Sequence, residues 1–255
     1  MVYRYFALVI LLTVPLWIAG HFIDTAPHLP IALPVSALMA FLPAALALIF
    51  VWREGGASEA KRLFARSFDW HRTTNKVWYL PAILFMPATL AIGYAVQKSV
   101  GVELPAPRIE FLVIPIFFVM FFVAGLGEEI GWQGYAYDRM KGSALQAALV
   151  IGTVWMVWHI IPFFQTGRST EWVVWHCGVT ILLRIVTVWL YVNGGRSVFI
   201  AALFHAMCNV AFFLYPVYGS HYDPVSTFVI LGISVVAIVW LWGPQTLARF
   251  RFAKS

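Results

Sequence analysis

Charge is scarce in this chain. Of its 255 residues only 11% are charged and 62% are apolar, whereas a soluble domain carries about 25% charged residues. A water-soluble globule of this length cannot hide so much apolar surface, which excludes a soluble enzyme and a disordered chain. Cysteine is nearly absent. Cys177 and Cys208 both lie inside apolar runs, a spacing that fits no metal site and no disulfide framework, so a secreted disulfide scaffold is excluded too. Acidic residues number 11 against 17 basic ones, giving a net charge of +6 and a pI near 9.5. In a membrane chain such basic residues set topology, and nucleic acid is not an expected partner. No internal repeat, low-complexity segment or shift in composition divides the chain, so residues 1–255 read as one integral-membrane domain.

What is abundant is long apolar sequence. A spanning helix needs about 20 mostly apolar residues, and eight runs qualify, near 5–23, 31–52, 78–98, 109–127, 145–164, 172–192, 197–215 and 225–242. A membrane barrel would show alternating segments of about ten residues instead, so the expected fold class is all-α, a polytopic bundle of about eight transmembrane helices. The first run, with Arg4 before it, has the look of a signal peptide. It continues to Ile23 without a small-x-small cleavage site and is expected to be a retained helix. Pro15, Pro34, Pro43, Pro81, Pro87 and Pro115 are expected to kink their helices, as packed neighbours allow.

Lysine and arginine orient the bundle. With the N-terminus inside and eight spans, the inner side receives Arg4, Arg53, Lys61, Arg62, Arg66, Arg72, Lys76, Arg139, Lys141, Arg196, Arg249, Arg251 and Lys254. Only Lys98, Arg108 and Arg168 fall outside, and Arg184 lies within a span. Thirteen against three is a strong positive-inside bias, and both termini are expected in the cytoplasm. In the loop from Arg53 to Val77, Ala60, Leu63, Phe64, Ser67 and Phe68 recur at helical spacing opposite Glu59, Lys61, Arg62 and Arg66. That pattern suits a short amphipathic helix on the inner leaflet; an ordinary basic loop is the alternative.

Polar groups inside hydrocarbon are costly and mark candidate sites. Four places qualify: Glu128 and Glu129 at the end of the fourth run, His159 in the fifth, Arg184 in the sixth, and His205 with Asn209 in the seventh. Apolar residues flank the two glutamates, so their helix is expected to continue to about Arg139. Neighbouring helical residues point about 100° apart, so one carboxylate can face the interior while the other braces a neighbouring helix. His205 and Asn209, four apart, share a face, as do Trp155 and His159. Together these groups supply a base, an orienting imidazole and donors for an oxyanion. Glu128, His159 and His205 also match a zinc ligand set, and the residues leave the metal open. At 1.5 Å per residue from the inner ends, His205 and Arg184 lie about 12 Å deep, Glu128 and Asn209 about 18 Å, and His159 about 22 Å. One shared site opening toward the cytoplasm is compatible with those depths.

Other residues have plainer readings. His28, His71 and His221 fall in loops, and His21 and His176 near outer span ends where water or headgroups satisfy them. The tryptophans are expected mostly as lipid-facing or interfacial anchors. Tyr135, Tyr137 and Tyr191 lie near the candidate site, with packing the expected role.

Glu-Glu-x-x-x-Gln at 128–133, Trp-x-x-x-His at 155–159 and His-x-x-x-Asn at 205–209 resemble the three motifs of the CPBP family. These CAAX proteases and bacteriocin-processing enzymes, also called the Abi family, are intramembrane endopeptidases that include the type II CAAX prenyl proteases. The resemblance covers most of the chain, and Trp189-Leu-Tyr191 and Gly195-Arg-Ser197 add to it. It implies that Glu128 activates water, that His159 helps hold that water, that His205 and Asn209 stabilise the oxyanion, and that Glu129 is a supporting carboxylate. Two positions depart from the pattern. Gln133 stands where the family has Arg, and Trp155 where it has Phe; Arg184 is positioned to compensate for the first.

The leading expectation is therefore an intramembrane peptidase acting on a membrane-associated protein or peptide, with a prenylated CAAX-type substrate the class the resemblance suggests, in a bacterial or archaeal cell membrane. No cofactor is required by this reading, and zinc is compatible with it. A non-catalytic bacteriocin-immunity or scaffold protein of the same fold is the alternative. A transporter or proton relay is a third class, but the inverted repeats it predicts are missing from the sequence.

Overall fold

The computed structural model describes residues 1–23 and 33–252. His28 and Lys254 therefore lie outside the described residues. The described chain contains eight α-helices: α1 (Val2–Phe22), α2 (Leu42–Ala65), α3 (Tyr79–Ser99), α4 (Ile114–Gly131), α5 (Ala144–Gln165), α6 (Thr170–Asn193), α7 (Val198–Leu214) and α8 (Pro224–Trp242). Seven follow their apolar runs closely; the run near 31–52 instead divides into a 3₁₀ segment over Val35–Phe41 and α2, which continues to Ala65. All but α7 are long and apolar enough to cross a membrane, whereas α7 is apolar but only 17 residues long. The protein is thus an all-helical, polytopic membrane bundle.

Local chemistry sets the helix starts. Ser143 closes a capping box with Gln146 at the start of α5, Ser169 accepts from the Trp172 amide at α6, and Asp223 accepts from Val225 and Ser226 at α8. Such caps satisfy amide groups that a helix start leaves open. Only some of the prolines act as expected. Pro15 and Pro87 lie inside helices, but Pro43 and Pro115 occupy the first turns of α2 and α4. There the missing N–H costs nothing, so these two start helices instead of kinking them. Pro34 precedes a 3₁₀ segment over Val35–Phe41, and Pro81 is the third residue of α3.

The helix expected to continue past the glutamates does so, through a π-helical stretch over Trp132–Tyr137 to Arg139. The basic loop is also largely helical. α2 breaks at Gly56, whose φ of 77° suits glycine, and resumes to Ala65. Its Leu63 and Ser67 are buried while Phe64 and Phe68 are exposed. Arg66 departs from the expected polar face. It turns inward, donating to Gly134 O at 3.2 Å, to Asp138 at 2.7 Å and to Tyr191 Oη.

In the middle of the bundle α7 packs against α3, α4 and α6, and α6 also packs against α5 and α8. α4 reaches α2 closely because Gly127 and Gly131, four apart, lie against residues 40–43. A Cβ on Gly127 would stand 2.6 Å from Ala40 O, and one on Gly131 2.6 Å from the Pro43 backbone. Small residues at such spacing let membrane helices approach each other. This contact fixes the segment of α4 that carries the two glutamates.

Candidate active site

α4, α5, α6 and α7 each bring polar side chains to one buried centre. Glu128 and Glu129 diverge, as adjacent helical residues must. Glu129 is wholly enclosed, its Oε2 2.6 Å from Arg184 Nη1 on α6 and its Oε1 2.8 Å from His205 Nδ1 on α7. Glu128 faces the cavity. Its Oε2 accepts from the indole N–H of Trp155 at 2.6 Å and of Trp132 at 3.2 Å, one from α5 and one from the π-helical turn. Its Oε1 lies 3.8 Å from His205 Nε2, beyond hydrogen-bond reach.

Trp155 ties these groups together. Besides its bond to Glu128, its carbonyl lies 2.8 Å from His159 Nδ1. A carbonyl only accepts, so Nδ1 carries the proton and Nε2 of His159 keeps its lone pair. The Arg184 guanidinium sits 4.2 Å from the Trp155 ring centre, a cation–π contact that compensates a buried charge. The His205 ring meets the same indole edge-on at 5.5 Å. For His205, Nδ1–H points to Glu129 and Nε2 to the cavity, the arrangement in which a carboxylate orients a catalytic imidazole.

The cavity has a volume of about 680 Å³. Glu128, Trp155, His159, His205 and Asn209 all line it. Gln133 does not join the cluster: it is fully buried, and neither amide atom has a hydrogen-bonding partner among the described residues. Glu129 is closed off behind Glu128 and His205. The structure thus brings Glu128, Glu129, Trp155, His159, Arg184 and His205 together, places Asn209 one turn from His205, and sets Gln133 apart.

Several residues lie elsewhere than the sequence suggested. His176 is not a wetted span end. It stacks on Trp172 with ring centres 4.4 Å apart, bonds to Tyr222 Oη at 2.8 Å and lines the cavity. Burial pushes the Tyr222 phenol well above its ordinary pKa, so it keeps its proton and can donate to that imidazole. Trp132, Trp155, Trp158 and Trp189 are buried rather than lipid-facing, whereas Trp52, Trp70 and Trp240 are exposed. Tyr135 and Tyr191 pack away from the cavity, bonded to Glu54 and Asp138 respectively. Sequence reasoning passed over Trp132 and Asp69. Asp69 accepts from Ser197 Oγ at 2.6 Å and Phe199 N at 3.1 Å, anchoring the first turn of α7, the helix that carries His205.

Glu128, His159 and His205 are zinc-ligand types, but among the described residues no three His, Cys, Asp or Glu side chains converge in a geometry that holds a metal. The donor set fits zinc in kind and not in arrangement.

An all-helical membrane bundle with a buried carboxylate–imidazole centre facing an internal cavity defines the class. The family model described as type II CAAX prenyl endopeptidase Rce1-like matches residues 110–211, from the approach to α4 through most of α7. CAAX prenyl protease 2 of Methanococcus maripaludis is 22% identical over 228 residues, covering 81% of this chain and 82% of that protein. The chain is thus similar to CAAX prenyl proteases, over residues 110–211 by the family model and over most of its length by the archaeal relative, a likeness that its three motifs led one to expect.

Proposed function

We propose that this protein is an intramembrane endopeptidase in which Glu128 activates water against a peptide bond of a membrane-associated substrate, with prenylated CAAX-type peptides the first class to try. The observation that carries this reading is the asymmetry of the Glu128 carboxylate. Two indole N–H groups hold Oε2, and Oε1 is left toward the cavity beside His205 Nε2 at 3.8 Å. A water about 2.8 Å from each atom fits that separation.

The steps follow from the side chains. Glu128 Oε1 takes a proton from the water as its oxygen attacks the carbonyl carbon. The lone pair on His159 Nε2 accepts the second hydrogen of that water and holds it in line. The carbonyl oxygen gains negative charge and is met by Asn209 Nδ2–H and by Nε2–H of His205 in its protonated form. Glu128 then returns its proton to the leaving amine, and the C–N bond breaks. Glu129 touches no reacting atom. It is a positioning residue, fixing the His205 ring through Nδ1, while Arg184 balances its charge. Arg184 thereby supplies at Glu129 the guanidinium that Gln133 cannot.

In this reading both termini lie in the cytoplasm, which the distribution of lysine and arginine along the sequence supports. The test compares peptide termini in membranes of cells expressing the wild type or Glu128→Gln at matched abundance. Termini made only by the wild type support the proposal and name the substrate; identical surveys overturn it. Cleavage is expected to survive chelator, since the reading routes no step through a metal.

A further inference from the structure

We infer that Arg168, with His176 beside it, forms a second subsite of the cavity that holds a carboxylate of the bound peptide. This rests on the hydrolytic reading for the ligand being a peptide, but the subsite itself follows from the charge and spacing of the cavity wall.

Charge along that wall is sparse and divided. Among the described residues that line the cavity, Glu128 is the only carboxylate and Arg168 the only lysine or arginine. Arg184, the other cation nearby, is paired with Glu129 behind the wall. Arg168 takes part in none of the ion pairs among the described residues. A cation in a largely apolar cavity focuses its field there and draws anions, while the Glu128 carboxylate repels them. An anionic group of a ligand is therefore favoured beside Arg168 and disfavoured beside the base.

The side chains around Arg168 suit such a group. Arg168 lies between α5 and α6 and is partly buried, with its Cζ 4.8 Å from the Trp172 ring centre. A guanidinium resting on an indole keeps its fork of N–H donors for an acceptor, and that fork matches the two oxygens of a carboxylate. Trp172 stacks in turn on His176, with ring centres 4.4 Å apart. His176 Nδ1 is 2.8 Å from Tyr222 Oη. With the phenol donating, the ring keeps its own hydrogen on Nε2 as a second donor. Trp172 and His176 both line the cavity with Arg168.

Two helices give the same distance from this cluster to the base. Trp155 on α5 and Arg184 on α6 stand level beside Glu128, the Arg184 Cζ 4.2 Å from the Trp155 ring centre. Phe163 is eight residues after Trp155 and His176 eight before Arg184, and those two rings meet 4.8 Å apart. At 1.5 Å per helical residue, His176 is about 12 Å along the cavity from the base. An extended peptide covers that length in about three or four residues. The carboxylate is thus either the free end of a chain cut about that far from its terminus, or an acidic side chain at the same spacing.

Binding tests the subsite without reference to cleavage, so its failure is distinct from failure of the hydrolytic reading. All proteins carry Glu128→Gln to prevent turnover and are held in lipid nanodiscs. The probes are three dye-labelled farnesylated peptides of one sequence: one ending in a free acid, one in an amide, and one in an amide with glutamate as the last residue. The free acid or the glutamate form is expected to bind about 10- to 100-fold tighter than the plain amide. Arg168→Gln is expected to bring that ratio close to one, Arg168→Lys to keep part of it, and His176→Phe to narrow it. The ratio compares ligands on one protein, so a general loss of folding does not move it. Preference for the free acid identifies the chain end as the source, and preference for the glutamate form alone identifies a side chain. Equal binding of all three peptides overturns the inference, as does a preference that Arg168→Gln retains.

Discussion

The indole N–H of Trp155 donates to Glu128 Oε2 at 2.6 Å, while the carbonyl of the same residue takes the Nδ1 proton of His159 at 2.8 Å. One residue on α5 thus sets which Glu128 oxygen is left free and the tautomer of the imidazole beside it.

Trp155→Phe keeps an aromatic ring under Arg184 and removes only the N–H. A hydrogen bond to a charged group contributes about 1.5–3 kcal/mol. The expected outcome is a fall in kcat of about 10- to 100-fold, with KM little changed, measured on a cleaved peptide with purified protein. An unchanged kcat would show that the indole does not set the base.

Glu129 and Arg184 form an ion pair with both side chains essentially out of solvent. Removing one partner of such a pair costs about 3–5 kcal/mol. Glu129→Gln and Arg184→Met are each expected to lower Tm in detergent sharply. The double variant is expected to recover much of the stability and none of the activity, because His205 still lacks its orienting carboxylate. Recovery of activity in the double variant contradicts the positioning role.

Asp138 accepts from Arg66, Tyr191 and Arg196 where the connections after α2, α4 and α6 meet. Asp138→Ala leaves the partly buried Arg66 and the buried Tyr191 without their acceptor, at about 1–3 kcal/mol. Tm is expected to fall while kcat of the remaining folded protein stays at the wild-type value. A loss of kcat at full stability would place this network in the chemistry.

Gln133 has no hydrogen-bonding partner among the described residues. Exchanging it for Met removes a buried amide at similar length, a change that is near neutral or stabilising. Gln133→Met is expected to hold kcat within a few-fold and Tm at or above wild type. A large loss of kcat would give the amide a part in catalysis.

Much of this was legible in the sequence, and the reason is local. Each helix is encoded by its own apolar run and caps, so the positions of α1 to α8 follow from contiguous residues. Glu128, His159, Arg184 and His205 stood out because each is a polar group amid hydrocarbon. Trp155 did not stand out as a hub, because a tryptophan in an apolar helix reads as packing until its N–H is seen to meet a carboxylate 27 residues away. Asp69 capping α7 across 130 residues and Arg66 reaching Asp138 across 72 depend on loops meeting in space, which no local pattern encodes.

The central claim is that Glu128 is the general base. The most direct measurement is turnover of a cleaved peptide by purified wild type and Glu128→Gln in lipid nanodiscs, with Tm recorded for both. Glutamine keeps the shape and an oxygen that can accept from Trp155, but it cannot take a proton from water. The account predicts similar Tm values and a loss of kcat of about 10²- to 10⁴-fold. Turnover near the wild-type rate by a folded Glu128→Gln protein would contradict it.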